Sequence, residues 1–170
     1  KDSMSKERAE ANLATARKRP RVMQDAALGI LKTFLVDSGC NQTVGGSHHN
    51  EHIRDRKHSH VHFNTAGGEE MKGDYEGHLD MNVINTTYQA GVPNGTPWST
   101  NIVTSTTSTT DLLSISEEYE NGSTIHFDDQ PRLWNGDYTI PFRYDWARRG
   151  FCVDYEYRGS QPEFDSIAKA

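Results

Sequence analysis

The segment FCVDYEY at residues 151–157 alternates apolar and polar side chains along its whole length. Successive side chains of a β-strand point to opposite faces, so this alternation predicts a strand with one buried face. The same period of two occurs at 79–83 (LDMNV), 125–128 (IHFD) and 138–143 (YTIPFR). The sequence therefore predicts a sheet-rich protein.

Turn signals separate the predicted strands. The dipeptide Asn-Gly occurs at 94–95, 121–122 and 135–136, and it favours hairpins because both central turn positions need positive φ. We expect a hairpin centred on 121–122, joining strands at 113–115 and 125–127. The Thr- and Ser-rich segment 99–110 is typical of an exposed or edge strand, or of a mobile loop.

The N-terminal part of the chain has helical character instead. Good helix formers fill residues 5–18. Apolar residues recur at helical spacing from Val22 to Leu35, with Gly39 in the position of a C-terminal cap. These patterns predict a first helix within 1–21 and a second helix over 22–38.

Together the patterns predict a β-rich α+β fold. An N-terminal helical segment is followed by an antiparallel meander that forms a sandwich, a barrel or a strongly curved sheet. The length of 170 residues suits one domain. We divide the chain into an N-terminal arm over 1–21 and a single globular domain over 22–170.

Charge is distributed unevenly along the chain. Residues 1–60 carry a net charge of +4, whereas the chain as a whole carries −6. The densest basic run lies in the N-terminal arm and comprises Arg17, Lys18, Arg19 and Arg21. Such a run indicates a phosphate-contacting arm that binds nucleic acid, or a solvated helix end whose cations favour the helix C-terminus.

Histidines provide the main functional signal. Seven of the eight histidines fall between His48 and His78, and the segment HSHVHF at 58–63 carries three of them in alternation. In a strand, these three imidazoles would share a wet face, with Val61 and Phe63 on the buried face. The metal ligands predicted from this pattern are His58, His60, His62 and His78.

The predicted ligand set would bind a divalent metal, Zn²⁺ or Fe²⁺. Three histidines and a water suit Zn²⁺ and would activate that water, whereas a carboxylate with open positions suits non-haem iron. No His-Glu-x-x-His motif is present. The alternative interpretation is a polar sheet face whose histidines are only hydrated or hydrogen-bonded.

A second group of histidines lies in the segment 41–57, which lacks periodicity and is predicted to be a loop. It carries His48, His49 and His52. If Ser47 caps a short helix, His48 and His52 pair at i and i+4, with Glu51 nearby.

The segment IPFRYDW at 140–146, followed by Phe151-Cys152-Val153, resembles the strand segment of actinoporin-like pore-forming toxins. Those proteins also have an N-terminal amphipathic helix before a β-sandwich. The resemblance implies that Tyr144 and Trp146 contact phosphocholine headgroups. It covers under a tenth of the chain, and the first predicted helix here is basic and Ala-rich rather than apolar.

Two cysteines, Cys40 and Cys152, favour free thiols in a reducing compartment over a disulfide. No apolar run approaches the ~20 residues of a membrane span. Without a signal peptide pattern, the chain is more typical of a virion or cytoplasmic protein than of a secreted one.

These observations lead to hypotheses from different classes. The first is a non-enzymatic binding or assembly protein, such as a capsid or tail-type particle subunit, which forms a homo-oligomer. The second is a metal-dependent enzyme that uses the predicted histidine face within the cavity of a curved sheet. An actinoporin-like membrane-binding toxin is a minor third.

Overall fold

Thirteen strands and two short helices make up the regular structure of residues 31–64 and 68–158, the part of the chain that this computed structural model describes. The first seven strands are β1 (Lys32–Asp37), β2 (Val44–Gly46), β3 (Ile53–His58), β4 (His62–Asn64), β5 (Glu70–Lys72), β6 (Tyr75–Ile84) and β7 (Gly95–Ser105). The other six are β8 (Leu112–Ser114), β9 (Thr124–His126), β10 (Arg132–Trp134), β11 (Thr139–Pro141), β12 (Arg143–Asp145) and β13 (Gly150–Tyr157). The helices are a 3₁₀ helix (Ser47–His52) and α1 (Ile115–Glu120).

Six strands close into a barrel in the order β13-β1-β8-β2-β7-β6. Closure occurs because the last strand, β13, pairs with β1 on one side and with β6 on the other. The strand-rich class is therefore confirmed, and of the predicted shapes the barrel is the one observed. The sheet is mixed rather than an antiparallel meander, since β1 runs parallel to β8 and β2 runs parallel to β7.

The barrel interior holds the hydrophobic core. On β6, Leu79, Met81 and Val83 are at most 1% exposed, as the period of two predicts. The remaining core residues are Phe34, Ile53, Trp98, Ile102, Leu113, Leu133, Ile140, Phe142, Val153 and Tyr155.

Strand β13 is buried on both faces. Val153 and Tyr155 face the core, but Asp154 on the opposite face is only 5% exposed. Its carboxylate accepts hydrogen bonds from Arg143 Nε at 2.7 Å and from Thr86 Oγ1 at 2.7 Å. Burial alone would raise the pKa of Asp154, but the Arg143 guanidinium outweighs it and holds that pKa below its usual range.

The predicted helix over 22–38 is wrong in its last part, because residues 32–37 form β1. The β-branched and aromatic side chains of Thr33, Phe34 and Val36 suit a strand. Pairing with β13 and β8 then fixes the extended conformation and buries Phe34 completely. Residues 22–30 of that helix lie outside the described residues, as does the whole of the arm over 1–21, and neither Leu31 nor Ser38 is helical.

The hairpin predicted at Asn121-Gly122 is also wrong. These two residues end helix α1, where the N–H groups of Asn121 and Gly122 donate to Glu117 O and Tyr119 O, respectively. Gly122 has a φ of 98°, so it supplies the left-handed conformation that commonly terminates a helix. The expected positive φ is therefore present at Gly122 only, since Asn121 has a φ of −83°, and it marks a helix end.

The predictions for two other segments, 135–136 and 99–110, differ in outcome. Asn135-Gly136 does join an antiparallel pair, β10 and β11, and Asn135 Oδ1 accepts from the N–H of Asp137 at 3.1 Å. The segment 99–110 is neither an edge strand nor a loop over most of its length. Its first part belongs to β7, which lies between β2 and β6 and buries Thr100 and Thr104.

Candidate metal site

The four predicted metal ligands do not converge in the structure. The predicted single strand over 58–63 is interrupted, because Ser59 turns the chain inward and its side chain donates to Glu76 Oε2 at 3.0 Å. His58 therefore ends β3, whereas His62 begins β4. His58, His60 and His62 are all exposed.

Each of these histidines has its own surroundings. The ring of His58 stacks on Tyr75 with centroids 4.9 Å apart, and His62 Nδ1 lies 2.9 Å from Glu70 Oε1. His78 is half-buried on β6, opposite Arg54 of β3.

The other predicted binding residues divide into two groups. Arg17, Lys18, Arg19 and Arg21 lie outside the described residues. Tyr144 lies on β12, and Trp146 follows that strand; their rings meet edge to face with centroids 4.7 Å apart. Both side chains are half-buried, and they stand beside a closed barrel rather than a two-sheet sandwich.

A different set of donor groups does converge. Within residues 31–64 and 68–158, the group of at least three metal-ligating side chains that meets at one point consists of His48, His49 and Asp111. Their donor atoms all lie within 4.8 Å of one another. The short 3₁₀ helix carries both histidines, and Asp111 immediately precedes β8.

The contacts among these three side chains are close. Asp111 Oδ1 lies 3.0 Å from His49 Nε2, and Asp111 Oδ2 lies 3.2 Å from His48 Nε2. The N–H of Gly46 donates to Asp111 Oδ1 at 3.1 Å. The carboxylate is thus held between the two imidazoles by the backbone at the start of the 3₁₀ helix.

Two glycines make this close approach possible. A Cβ atom at Gly45 would lie 2.6 Å from His49 Cδ2 and 2.9 Å from Asp111 Oδ1. A Cβ atom at Gly46 would lie 2.9 Å from His48 Nδ1. The pair Gly45-Gly46, which forms most of β2, therefore leaves the space that the three side chains occupy.

His49 is the buried member of the site. Its side chain is 0% exposed, and its ring stacks against Phe34 with centroids 5.6 Å apart. On one edge of the ring, Nδ1 shares a hydrogen bond of 2.8 Å with Tyr157 Oη. On the other edge, Nε2 is close to Asp111 but not aligned for a hydrogen bond, so among the described groups this buried nitrogen has no hydrogen-bond partner.

The hydrogen bond between Tyr157 Oη and His49 Nδ1 can run in either direction, and the tautomer of the ring sets which. Burial and the nearby charge of Asp111 raise the pKa of the Tyr157 hydroxyl, so it stays protonated at neutral pH. When Nδ1–H donates to Tyr157 Oη, the lone pair of His49 Nε2 is directed toward Asp111 and His48. Metal-binding histidines are commonly oriented in this way, through the ring nitrogen that does not bind the metal.

The protonation states also suit a metal ion. Burial, followed by the neighbouring His49, lowers the pKa of His48, although Asp111 has the opposing effect. The lowered pKa favours the neutral imidazole. Burial alone would raise the pKa of Asp111, but the adjacent His49 and the Gly46 N–H outweigh it and keep that pKa low. At neutral pH the site therefore offers a carboxylate and a neutral His48 as ligands.

The donor atoms are near one another but not at the spacing of a formed metal site. The separations of 3.0 and 3.2 Å join the histidine nitrogens to different oxygens of Asp111. With one donor atom from each residue, the three atoms lie within 4.8 Å of one another, whereas ligands at about 2.0–2.1 Å from a Zn²⁺ ion lie roughly 3.3 Å apart, so binding would draw them closer together. Two imidazoles and one carboxylate could thus hold Zn²⁺ or Fe²⁺.

Sequence reasoning recognised only part of this site. It singled out His48, His49 and His52 in the segment 41–57, but the loop predicted there is wrong, because the segment contains β2, the 3₁₀ helix and most of β3. The short helix considered there exists, although Gly46 rather than Ser47 is its N-cap residue. The predicted pair His48 and His52 is not the convergent one, because the His52 ring stacks on Tyr157 with centroids 3.7 Å apart. Asp111 gave no signal, since its approach to the histidines depends on the packing of distant strands.

Comparisons of the chain with protein-family models, with curated proteins and with solved structures gave no match. No helix within the described ranges is long and apolar enough to cross a membrane.

Proposed function

We propose that this protein is a binding protein that holds one divalent metal ion through His48, His49 and Asp111. The observation that carries the proposal is the buried Nε2 of His49, which has no hydrogen-bond partner among the described groups and faces Asp111. A metal ion between the three side chains would accept the lone pair of this nitrogen and neutralise the charge of the Asp111 carboxylate.

The chemistry of the ligands favours Zn²⁺ or Fe²⁺. Imidazole nitrogens are preferred ligands of both ions, and a carboxylate completes sites for either. Ca²⁺ and Mg²⁺ prefer sites made only of oxygen atoms, so two histidines disfavour them.

The site also supports a second candidate function, metal-dependent catalysis. The side chain of His48 is 52% exposed, so one side of the site is open to solvent. Three protein ligands leave at least one coordination position for water or a substrate. A bound Zn²⁺ could then activate a water, whereas two histidines and one carboxylate around Fe²⁺ would leave positions open for other ligands.

The assembly hypothesis is supported by the sequence alone. The basic run at 17–21 and the acidic remainder of the chain favour contacts between copies, or between the arm and nucleic acid. Measuring the metal content and the mass in solution of the purified protein discriminates the candidates. Stoichiometric metal in a small oligomer favours the two candidates that use the metal site, whereas a large metal-free assembly favours the particle subunit.

The metal proposal is tested by calorimetry of metal-free protein with Zn²⁺, and with Fe²⁺ under anaerobic conditions. We expect one ion per chain. His48→Ala should weaken binding by more than the ~10–100-fold that loss of an orienting partner causes, because it removes a ligand. Since His48 is exposed, this variant should fold normally, which circular dichroism can verify.

The matched control is His60→Ala, which removes an exposed histidine outside the cluster and should leave the affinity unchanged. Asp111→Asn tests the carboxylate. The proposal is wrong if the native chain binds neither ion, or if His60→Ala lowers the affinity as much as His48→Ala.

A further inference from the structure

The small three-stranded sheet has one face in the core and one face open. Its strands lie in the order β11-β10-β9. Leu133 and Ile140 point into the core and are 0% exposed. Trp134, next along β10, points the other way and is 46% exposed.

The neighbours of Trp134 leave its ring accessible. The residues opposite it on the adjacent strands are Thr124 of β9 and Thr139 of β11, both short side chains. Large aromatic side chains in barrels are normally buried for the apolar area they contribute. An indole that stands between two threonines on an outer sheet face instead offers a flat apolar surface to a ligand.

A cleft of about 450 Å³ adjoins this ring. One wall is the segment Ala90–Val92, and the floor is the outer face of the sheet. Besides Trp134 and Thr139, the polar residues that line it are His126, Gln130 and Arg132. This combination of one aromatic surface and several hydrogen-bonding groups is typical of a small-molecule site.

The polar groups of the cleft are held in place. Arg132 Nη1 donates to Asp128 Oδ1 at 2.9 Å and to Gln130 O at 2.8 Å. His126 Nε2 lies 3.2 Å from Thr124 Oγ1. Because Asp128 neutralises the guanidinium, the cleft carries little net positive charge and offers no strong attraction to an anion.

We propose that this cleft binds a neutral saccharide unit, whose apolar C–H face stacks on the Trp134 indole while its hydroxyl groups bond to Arg132, His126 and Thr139. A sugar hydroxyl both donates and accepts a hydrogen bond. It is therefore complementary to a site that contains an Arg-Asp pair, an imidazole and a hydroxyl. A nucleotide or another phosphate would need an unpaired cation instead.

The test is titration of the full chain with cellotriose, maltotriose and chitotriose, followed by tryptophan fluorescence and calorimetry. At least one neutral trisaccharide should bind at millimolar concentration and perturb the fluorescence. Trp134→Ala should weaken that binding roughly tenfold or more, as losses of stacking surfaces do. Trp134→Phe, which keeps an aromatic face, should weaken it less.

The matched control is Tyr119→Ala. Tyr119 is an aromatic residue whose side chain is 69% exposed, and it lies on helix α1, outside the cleft. Its loss should not change saccharide binding. The proposal is overturned if no neutral trisaccharide binds, or if Trp134→Ala binds as well as the native chain.

Discussion

At the scale of single residues, the candidate metal site depends on the lack of side chains at Gly45 and Gly46. Gly45 lies against both His49 and Asp111, where any side chain would collide with them. His49 cannot withdraw, because Phe34 stacks on its ring and Tyr157 holds its Nδ1. The site is therefore a packed arrangement in which the carboxylate and the buried imidazole have little freedom to separate.

We predict that Gly45→Ala destabilises the protein by about 1–3 kcal/mol, the usual cost of overpacking a filled interior. Its Cβ would lie 2.6 Å from His49 Cδ2, closer than such contacts allow. The matched control is Gly39→Ala, whose Cβ would meet only Asp37 Oδ1, at 3.4 Å, on an exposed turn. Urea denaturation midpoints measure both effects, and equal midpoints would contradict the packing described for the site.

The residue types of the site could be read from the sequence, but their partnership could not. The adjacent histidines His48 and His49 are evident from the sequence, whereas Asp111 is one of many acidic residues in the chain. The alternation at 58–63 was misleading for a physical reason. The prediction from this alternation assumed a continuous strand. Ser59 interrupts the strand, because its side chain turns inward and donates to Glu76, and its N–H donates to the carbonyl of Asp74.

At the scale of elements, prediction succeeded where one face of a strand is buried and failed where neighbouring strands decide the conformation. The alternation on β6 is preserved because that strand has a core face, which holds Leu79, Met81 and Val83. Strand β1 was missed because its short apolar run satisfies helical spacing equally well, and only pairing with β8 and β13 selects the strand. The exposed or edge position predicted for 99–110 was wrong, because the threonines of β7 are buried in the middle of the sheet.

Helix α1 gives the clearest dependence on pH. Glu118 is 3% exposed and accepts a hydrogen bond from Thr100 Oγ1. Burial raises the pKa of Glu118 to about 7, despite that hydrogen bond, and the adjacent Glu117 adds to the rise. The folded protein thus binds a proton that the unfolded chain releases between the ordinary glutamate value and about 7.

We predict that this proton makes the native protein lose stability as the pH rises from about 4.5 to about 7, by on the order of 3 kcal/mol, with no further loss from this group above that range. Glu118→Gln should remove this part of the pH dependence. The exposed Glu120→Gln, on the same helix, should retain it. Free energies of unfolding measured across this range give the comparison, and a difference between native protein and Glu118→Gln that does not vary with pH would contradict the prediction.

At the scale of the whole molecule, the barrel is closed by contacts between segments far apart in the chain. Strand β13 joins β1, near the start of the described residues, to β6. The candidate metal site lies across the same region, since Tyr157 of β13 contacts His49, and the carbonyl of Asp111 accepts from the N–H of Leu35 on β1 at 2.9 Å. Occupation of the site would therefore connect the 3₁₀ helix, β1, β8 and β13.

Because a ligand that binds only the folded state stabilises all of it, we predict that metal raises the thermal midpoint of the entire barrel in one transition. Free Zn²⁺ at about 100 times its dissociation constant contributes about 2.7 kcal/mol, which for a chain of this size corresponds to roughly 5–10 °C. Removal with EDTA should reverse the shift, and Ca²⁺ should not reproduce it. His48→Ala should melt at the same temperature with and without Zn²⁺, so an equal shift in that variant would place the stabilising metal at some other site.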